Sequence, residues 1–416
     1  MSLRKDSRVL RAVEATRAPA GAVVSGVGLH PVLIALFAVA SGLAAANLYY
    51  AQPLIGLIAP ELRLHVGLAG LIVALTQVGY GVGLLFLVPL SDRLENRRLV
   101  VTILGAVVLG LLGIALSDSM LTFLAASFLV GVGAVATQIL VPFASHLAPP
   151  ESRGRVVGIV MSGLVGGIML ARPFSSLVAS ELGWRAIFYI SAGLMLVLGI
   201  VLLRALPERR PVAPLSYARI MRSLPGLFAH TPILRRRAFY QGMLFAAFNI
   251  FWTGSPLLLA REFGLGQRGI AVFALAGAAG ALAAPIAGRL ADRGLTRIAT
   301  GFALVGALLA FVISGYAAHS HSLALLVAGA ILLDAAVQIN QVLSLRSLFM
   351  LAPELRGRLN GLFMTFIFAF GAAGSVLASA LYVFYGWAAA ALAGSVCAVA
   401  ALALYSTEFR GEKHTR

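Results

Sequence analysis

The sequence predicts an all-α membrane protein of twelve transmembrane helices arranged as two pseudo-symmetric six-helix bundles. Three observations support this prediction: a hydrophobic fraction of 60%, a charged fraction of only 11%, and an internal repeat that divides the 416 residues into two similar halves. The charged fraction is about half that of a soluble domain. The apolar segments are expected to be helices because an open sheet cannot satisfy its backbone hydrogen bonds in hydrocarbon.

Apolar runs of about 20 residues, enough to cross a bilayer as a helix, recur twelve times. Spans 1 to 6 are predicted at 31–58, 66–90, 99–116, 120–147, 156–180 and 186–204. Spans 7 to 12 are predicted at 238–260, 266–290, 298–317, 323–350, 359–384 and 388–405. The longer runs exceed the bilayer thickness, which implies that those helices are tilted or extend beyond the hydrocarbon.

The second half of the chain repeats the first. Three patterns recur 203 positions later: Arg153-Gly154-Arg155 as Arg356-Gly357-Arg358, Gly183-Trp184 as Gly386-Trp387, and Pro53 as Pro256. A two-fold repeat in so apolar a chain is typical of secondary transporters, whose binding site lies between the halves. Glycine pairs such as Gly163 and Gly167 in span 5, or Gly371 and Gly374 in span 11, are expected to allow close helix packing.

The expected organisation has five parts. A cytoplasmic N-terminal segment (1–30) precedes the first bundle (31–204), and a cytoplasmic linker (205–237) leads to the second bundle (238–405) and a cytoplasmic tail (406–416). The linker is rich in proline and arginine, which suits a connection between two moving bundles. Plain anchoring and binding of anionic lipid are both open roles for its arginines.

The net charge of +17 is explained by membrane topology. If both termini lie on one side, that side holds 26 of the 32 Lys and Arg residues, and the opposite side holds four. This asymmetry follows the positive-inside rule, so both termini are expected in the cytoplasm of a multi-pass protein of the bacterial inner membrane. The charge therefore gives no indication of nucleic-acid binding. The single cysteine, Cys397, excludes an intrachain disulfide.

A charged motif follows span 2 and returns after span 8. The stretch 88–97 keeps Leu90, Asp92, Arg93 and Arg97 of the pattern G-x-L-A-D-R-x-G-R-R, and 288–297 carries Asp292 at the equivalent place. With this motif in both halves, the whole chain resembles the major facilitator superfamily, specifically its twelve-span bacterial proton-linked drug and metabolite efflux branch. The resemblance implies transport by alternating access between the bundles.

Two departures concern the drug-antiport signature rather than the fold. The antiporters of this branch often carry an arginine in span 4, four residues before a glycine, whereas this chain has Ser127 before Gly131. Their span 5 signature ends in Gly-Pro-x-x-Gly-Gly, and here Pro173 remains while the glycines do not.

The repeated motif also predicts a cytoplasmic gate. Asp92 is expected to lie against the positive end of span 11 just after Arg358, and Asp292 against the start of span 5 after Arg155. The predicted gate residues are Asp92, Arg93, Arg97, Asp292, Arg293, Arg297, Arg153 and Arg356. The alternative for both loops is a short turn whose charges only fix the topology.

Asp334 is the only acidic residue well inside a span, and Arg172 is its deeply placed basic counterpart. A charge at the bilayer centre costs about 2.5–3.5 kcal/mol, so it is usually paired, neutralised or functional. Asp334 and Arg172 are expected at similar depth in opposite halves, where their contact would form or break as the halves rock. A carboxyl group that alternates between such a contact and apolar surroundings takes up and releases a proton. The alternative is a static structural pair.

Polar side chains at helical spacing predict a substrate cavity between the halves. Asp334, Gln338 and Gln341 share one helix face, as do Asn249, Trp252 and Thr253. The full predicted lining comprises Asn47, Tyr50, Gln77, Tyr80, Gln138, Asn249, Trp252, Thr253, Gln338 and Gln341. The alternative is that these groups only bond neighbouring helices.

The expected function is export of a small amphipathic compound or metabolite, coupled to protons through Asp334 and Arg172. One alternative is uptake or exchange of an organic anion held by Arg172, and another is a non-transporting sensor or scaffold. No ATP-binding, zinc-protease or serine-hydrolase motif occurs, so neither an enzyme nor a cofactor or metal is expected. The expected partners are the small-molecule substrate, protons and the lipid bilayer, with the protein acting as a monomer.

Overall fold

The computed structural model describes residues 30–211, 216–351 and 355–410, and within these ranges it contains helices and no strands. Ten described helices are long and apolar enough to cross a membrane. One of them contains two spans because it breaks at Gly386, and span 1 is divided into shorter helices. The described chain therefore confirms the predicted all-α, twelve-helix architecture. Residues 1–29 of the expected N-terminal segment and 411–416 of the tail lie outside the described residues.

Spans 3, 5 and 6 are each a single α-helix close to the predicted range, whereas spans 1, 2 and 4 are divided or include 3-10 segments. The helices are, in order, Pro31–Ala46 and Ile55–Glu61 (span 1), Leu71–Phe86 (span 2), Asn96–Ala115 (span 3), Met120–Ala134 and Ala136–Leu147 (span 4), Arg153–Leu182 (span 5) and Trp184–Ala205 (span 6). Short 3-10 helices, Gln52–Leu54, Val66–Leu68 and Val88–Asp92, connect or extend spans 1 and 2.

The second half begins earlier than expected, because span 7 starts at Pro232. The helices are Pro232–Arg261 (span 7), Gln267–Gly277 and Ala284–Asp292 (span 8, joined by the 3-10 helix Ala278–Ala283), Thr296–His319 (span 9), Leu323–Phe349 (span 10) and Arg356–Arg410 (spans 11 and 12). A further helix, Tyr217–His230, lies within the expected linker.

The repeated Gly-Trp pair forms the turn between the last two spans of each half. Gly183 has φ 81° and ψ 161°, and Gly386 has φ 75° and ψ −175°. A positive φ strains any residue with a Cβ, so the turn requires glycine at both places. The following tryptophans, Trp184 and Trp387, are both buried and anchor the start of spans 6 and 12.

The repeated Arg-Gly-Arg pattern also has one structural role in both halves. Nε of Arg153 donates to the carbonyl of Ser145 at 3.0 Å, and Nε of Arg356 donates to the carbonyl of Phe349 at 3.0 Å. Both carbonyls lie at the C-terminal end of the preceding span, where backbone acceptors lack helical partners. A basic side chain there satisfies the acceptor and favours the helix dipole.

Glycines allow the closest helix crossings, as the sequence predicts. Spans 1 and 5 cross at Gly42, Gly163 and Gly167, where a Cβ on any of the three would overlap the backbone of the opposing helix. At Gly374, span 11 comes equally close to span 7, because a Cβ there would overlap the backbone of Ala246. Such small-residue contacts are the usual way in which helices associate in membranes.

The two halves meet along spans 2 and 11 and along spans 5 and 8. The face at which span 5 ends is called the outer face, following the orientation predicted from charge. Here Glu181 accepts two hydrogen bonds from Arg268, at 2.9 and 2.6 Å. The hydroxyl of Ser379 accepts from the Gly70 N–H and donates to the Gly67 carbonyl, both at 2.9 Å. These contacts join the halves at the outer face.

Substitution of Gly167 by alanine should destabilise the protein, whereas the same change at Gly166 should not. The added methyl at Gly167 meets the backbone of Gly42, which cannot rotate away, but at Gly166 it enters open space. Overpacking of this kind costs about 1–3 kcal/mol. Unfolding of the two purified variants in detergent measures the difference, and equal stabilities would contradict this account of the span 1–span 5 crossing.

Candidate functional site

A buried guanidinium lies at the centre of the interface between the halves. Arg172 of span 5 is 5% exposed, and its Cζ lies 5.1, 5.0 and 4.4 Å from the ring centroids of Tyr49, Phe248 and Trp252. Its Nε donates to Oε1 of Gln52 at 2.8 Å. Aromatic faces attract a cation, and the attraction is strongest where water is excluded. The guanidinium is therefore held by three rings and one amide.

Trp252 connects this guanidinium to the buried carboxylate of Asp334. The indole Nε1 donates to Oδ1 of Asp334 at 2.8 Å, and the same ring faces Arg172. None of the ion pairs of the described residues joins Arg172 directly to Asp334. The sequence placed both charges near each other at the interface, and the structure brings them together through an indole.

An amide network joins the halves beside these charges. Oδ1 of Asn249 on span 7 accepts from the side-chain amides of Gln52 and Gln77, which belong to the first half. It also accepts from the hydroxyl of Ser375 at 3.3 Å, and Gln52 donates to Thr253 at 3.3 Å. All five side chains are buried. The network is therefore a set of cross-interface hydrogen bonds sheltered from water.

A small cavity adjoins the guanidinium, between the inter-half polar groups and the outer face. It has an empty volume of about 210 Å³ and is lined by Arg172 and Pro53 of the first half and by Trp252, Ser255, Pro256, Leu259, Ile270, Phe273 and Ala274 of the second. Two buried polar atoms of this lining, Nη2 of Arg172 and Oγ of Ser255, have no hydrogen-bond partner among the described residues.

Breaks in spans 1 and 8 position the side chains of the site. Span 1 leaves the α-helix after Ala46 and resumes at Ile55, with Gln52 in the intervening 3-10 turn that contains Pro53. In span 8, Gly277 lies under the indole of Trp252, and Gly280 lies against Asp334 at the start of the 3-10 segment. A side chain at either glycine would displace these neighbours.

The predicted cavity residues separate into two groups at the interface. Gln77, Asn249, Trp252 and Thr253 belong to the network around the charges. Tyr80 and Gln138 lie nearer the inner face, where Gln138 donates to the Tyr80 hydroxyl at 3.1 Å and accepts from Asn360 of span 11 at 3.4 Å. The ring of Tyr80 packs against Phe368 with a centroid separation of 4.4 Å.

Four predicted cavity residues lie elsewhere. Asn47 accepts a hydrogen bond from Ser191 of span 6 at 2.7 Å and donates to its own helix, so it bonds within the first half. Tyr50 also lies beside Ser191. In this conformation both side chains therefore contact span 6 within the first half, and their role in lining a cavity stays a prediction. Gln338 and Gln341 are half-buried on span 10, and among the described residues neither is hydrogen-bonded to the network around the charges.

Pseudo-symmetry reveals the residues that helix periodicity missed. Adding 203 to Tyr49 gives Trp252, and adding 203 to Gln52 gives Ser255. These pairs precede the repeated prolines Pro53 and Pro256, so the two equivalent segments face each other across Arg172. The repeated proline was the available signal, because the residues just before it lie where span 1 breaks and the halves meet.

At the inner face, the gate motif of the first half binds the linker. Arg97 pairs with Glu208 at 2.6 Å, and the Asn96 N–H donates to the Arg209 carbonyl at 3.0 Å. Burial alone would raise the pKa of Glu95, but the backbone N–H groups of Arg98, Arg97 and Arg209 outweigh it and lower the pKa below its ordinary value of 4.5. The linker is therefore fastened to the loop after span 2.

Asp92 lies near the start of span 11, as expected, but shares that position with other charges. It interacts electrostatically with Arg209 of the linker, His146 of span 4 and Arg358 of span 11. Asp92 is thus surrounded by positive groups from both halves and the linker.

The equivalent residue of the second half has a different partner. Asp292 forms an ion pair with Arg346 of span 10 in its own half, and its expected placement against the start of span 5 stays a prediction. Arg297 pairs with Glu408 at 3.8 Å, whereas Arg93 and Arg293 are exposed. Arg153 and Arg356 cap helix ends, as described above.

Comparison with known proteins agrees with this architecture. The Major Facilitator Superfamily model matches residues 35–338 and, in a second match, 239–416. The Escherichia coli O157:H7 transporter YgaY is 40% identical over 386 residues, covering 92% of this chain and 98% of that protein. A probable transporter of Streptomyces coelicolor (strain ATCC BAA-471 / A3(2) / M145) is 32% identical over 390 residues, covering 93% and 88%.

Solved structures show the same fold at low sequence identity. The nucleoside transporter NupG aligns with a TM-score of 0.71 at 16% identity, covering 90% of this chain and 98% of that chain. A bacterial homologue of the human lysosomal transporter Spinster, in an inward-facing occupied conformation, aligns with a TM-score of 0.69 at 15% identity, covering 91% and 96%. From the family match, the two relatives and the shared fold, the chain belongs to the Major Facilitator Superfamily of membrane transporters.

Proposed function

We propose that the protein is a proton-coupled secondary transporter that exports a small amphipathic compound by alternating access. Asp334 carries the proton, and Arg172 is its electrostatic partner. In this proposal the protein lies in the bacterial inner membrane with both termini in the cytoplasm, as the distribution of Lys and Arg predicts. The linker 205–237 connects the two bundles, 31–204 and 238–405, which move against each other.

One observation supports the proposal most strongly: Trp252 contacts Arg172 across the interface, but contacts Asp334 within its own half. Arg172 reaches Trp252 and Phe248 across the interface, whereas the hydrogen bond from Trp252 to Asp334 lies within the second half. Rocking of the halves therefore separates Arg172 from Trp252 and leaves the Trp252–Asp334 bond intact. Asp334 loses a nearby positive charge without losing its hydrogen bond.

This change of surroundings supplies a coupling mechanism. A positive charge nearby favours the ionised carboxylate, and burial in apolar surroundings favours the protonated acid. Asp334 would accordingly release its proton in the conformation that brings Arg172 close and bind one when the halves separate. The amide bonds from Gln52 and Gln77 to Asn249 break in the same movement, so substrate can replace them.

A second candidate is uptake or exchange of an organic anion held by Arg172. It is favoured by one observation, the unpartnered Nη2 of Arg172 at a cavity. Protonation of Asp334 would leave the guanidinium uncompensated, so proton and anion would bind together and move in the same direction. Export by antiport instead requires that substrate and proton bind alternately, which makes the direction of coupling a test between the candidates.

Substitution of Asp334 by asparagine should abolish proton-driven accumulation but leave equilibrium exchange of substrate. With one proton per substrate, an imposed gradient of two pH units supports about 100-fold accumulation in inverted vesicles, and loss of the carrier removes it. The substrate is the compound that most stabilises the purified protein in a thermal screen.

Asp118→Asn is the matched control, because Asp118 lies at the outer face with its side chain 97% exposed. It should accumulate substrate as the wild type does. If Asp334→Asn still couples protons to substrate with the wild-type stoichiometry, Asp334 does not carry the proton. Gradient-driven movement in the direction opposite to antiport would favour the organic-anion candidate.

Substitution of Trp252 by phenylalanine should destabilise the protein mainly because Asp334 loses its hydrogen-bond donor. Phenylalanine keeps an aromatic face towards Arg172 but removes the N–H donor to the carboxylate. A double-mutant cycle with Asp334→Leu, which removes the acceptor that asparagine would keep, should give a coupling energy of about 1.5–3 kcal/mol, the range for a hydrogen bond to a charged group. Unfolding of the four proteins in mixed micelles measures it. An equal cost of Trp252→Phe in both backgrounds would show that the indole and carboxylate do not act together.

A further inference from the structure

We infer that the transported compound carries a carboxylate, and that this group binds at a subsite formed by Nη2 of Arg172 and Oγ of Ser255. The inference rests on the second candidate function, in which Arg172 holds an organic anion, and it specifies the anionic group and its second contact. Ser255 belongs to span 7 and lines the same cavity as Arg172.

Two unsatisfied buried donors at one cavity are the main observation. Arg172 is 5% exposed and Ser255 is fully buried, yet Nη2 and Oγ both lack a hydrogen-bond partner. Buried polar side-chain atoms nearly always have a partner, and an unpaired one costs stability. Nε of Arg172 already donates to Gln52, so Nη2 is the donor of the guanidinium that is left for a ligand.

The chemistry of the lining selects an anion. Guanidinium has five N–H donors, no acceptor and a permanent positive charge, so its free edge can bind only an acceptor. Every other lining residue of the cavity is uncharged. Asp334 meets the indole of Trp252 at its N–H edge, and no carboxylate belongs to the cavity lining. A cation is repelled there, whereas a carboxylate matches the planar guanidinium fork.

The remaining lining indicates a short apolar body attached to the carboxylate. Leu259, Ile270, Phe273 and Ala274 form the wall opposite the guanidinium. The cavity is narrow, with room for about one water molecule, so binding requires a small separation of the halves. Such a separation widens this site directly because both halves line it.

The internal repeat gives an independent reason to single out Ser255. Its counterpart in the first half is Gln52, whose amide oxygen accepts from Arg172. A second glutamine at position 255 would bring an equivalent acceptor to the other side of the guanidinium. Beyond Cβ, serine has only a hydroxyl where glutamine has a methylene and an amide, so serine does not reach the place where symmetry would put an acceptor. The ligand carboxylate supplies that acceptor.

The test is equilibrium binding to the purified full-length protein in nanodiscs at fixed pH. The probes are straight-chain monocarboxylates of two to eight carbons, each compared with its amide, and the readouts are thermal unfolding and tryptophan fluorescence. Short monocarboxylates should bind saturably and the matched amides should not. Ser255→Ala should weaken carboxylate binding about tenfold, as expected for loss of one hydrogen bond to a charged group. Ser255→Gln should fill the subsite and abolish binding.

Ser176→Ala is the matched control, because Ser176 is equally buried, also lacks a hydrogen-bond partner and does not line the cavity. It should bind carboxylates as the wild type does. Absence of carboxylate binding, equal binding of the amides, or equal losses in Ser255→Ala and Ser176→Ala would each overturn the inference. These variants keep the test decisive even where an Arg172 variant fails to fold.

Failure of the inference can be told apart from failure of the proposed function. Binding at fixed pH requires no proton coupling, so carboxylate binding by a protein that transports without a proton gradient overturns the coupling alone. Proton-driven transport of neutral compounds by a protein that binds no carboxylate overturns the inference alone.

Discussion

The buried charge of Arg172 is the constraint on which the centre of this protein depends. A guanidinium removed from water carries a desolvation penalty of several kcal/mol, and no ion pair within the described parts of the chain offsets it directly. Three aromatic rings and one amide hold it instead, and two of those rings belong to the opposite half. The halves therefore cannot separate without exposing this charge to new surroundings.

The site arises where the two copies of the repeat differ. Span 1 breaks before Pro53, whereas span 7 continues as one helix through Pro256. Tyr49 and Trp252 occupy equivalent positions beside the guanidinium, but only the indole can donate to Asp334. The repeat thus places equivalent segments on the two sides of the Arg172 guanidinium, and the differences between the copies give those two sides different chemistry.

The fold could be predicted from the sequence because the membrane imposes simple rules on backbone and charge. Helix length, backbone satisfaction and the cost of buried charges identified the spans, Arg172 and Asp334. The side of span 1 that faces the interface could not be predicted from period-3.6 spacing, because the helix unwinds between Asn47 and Gln52. The partner of Asp292 could not be predicted either, because it depends on how the helices are placed relative to one another rather than on the local sequence pattern.

The unpaired donors of Arg172 and Ser255 bear on how such a transporter avoids changing conformation without bound substrate. A ligand shifts a conformational equilibrium only by its differential affinity for the two states. When the halves are closed, Nη2 of Arg172 and Oγ of Ser255 have no partner among the described residues, and a buried group left unpaired costs about 1–3 kcal/mol. In the proposed mechanism a bound carboxylate removes that cost while both halves contact it, in an arrangement slightly wider than that of this structure. Closure is then favoured for the loaded protein and opposed for the empty one, which is the selectivity that tight coupling requires.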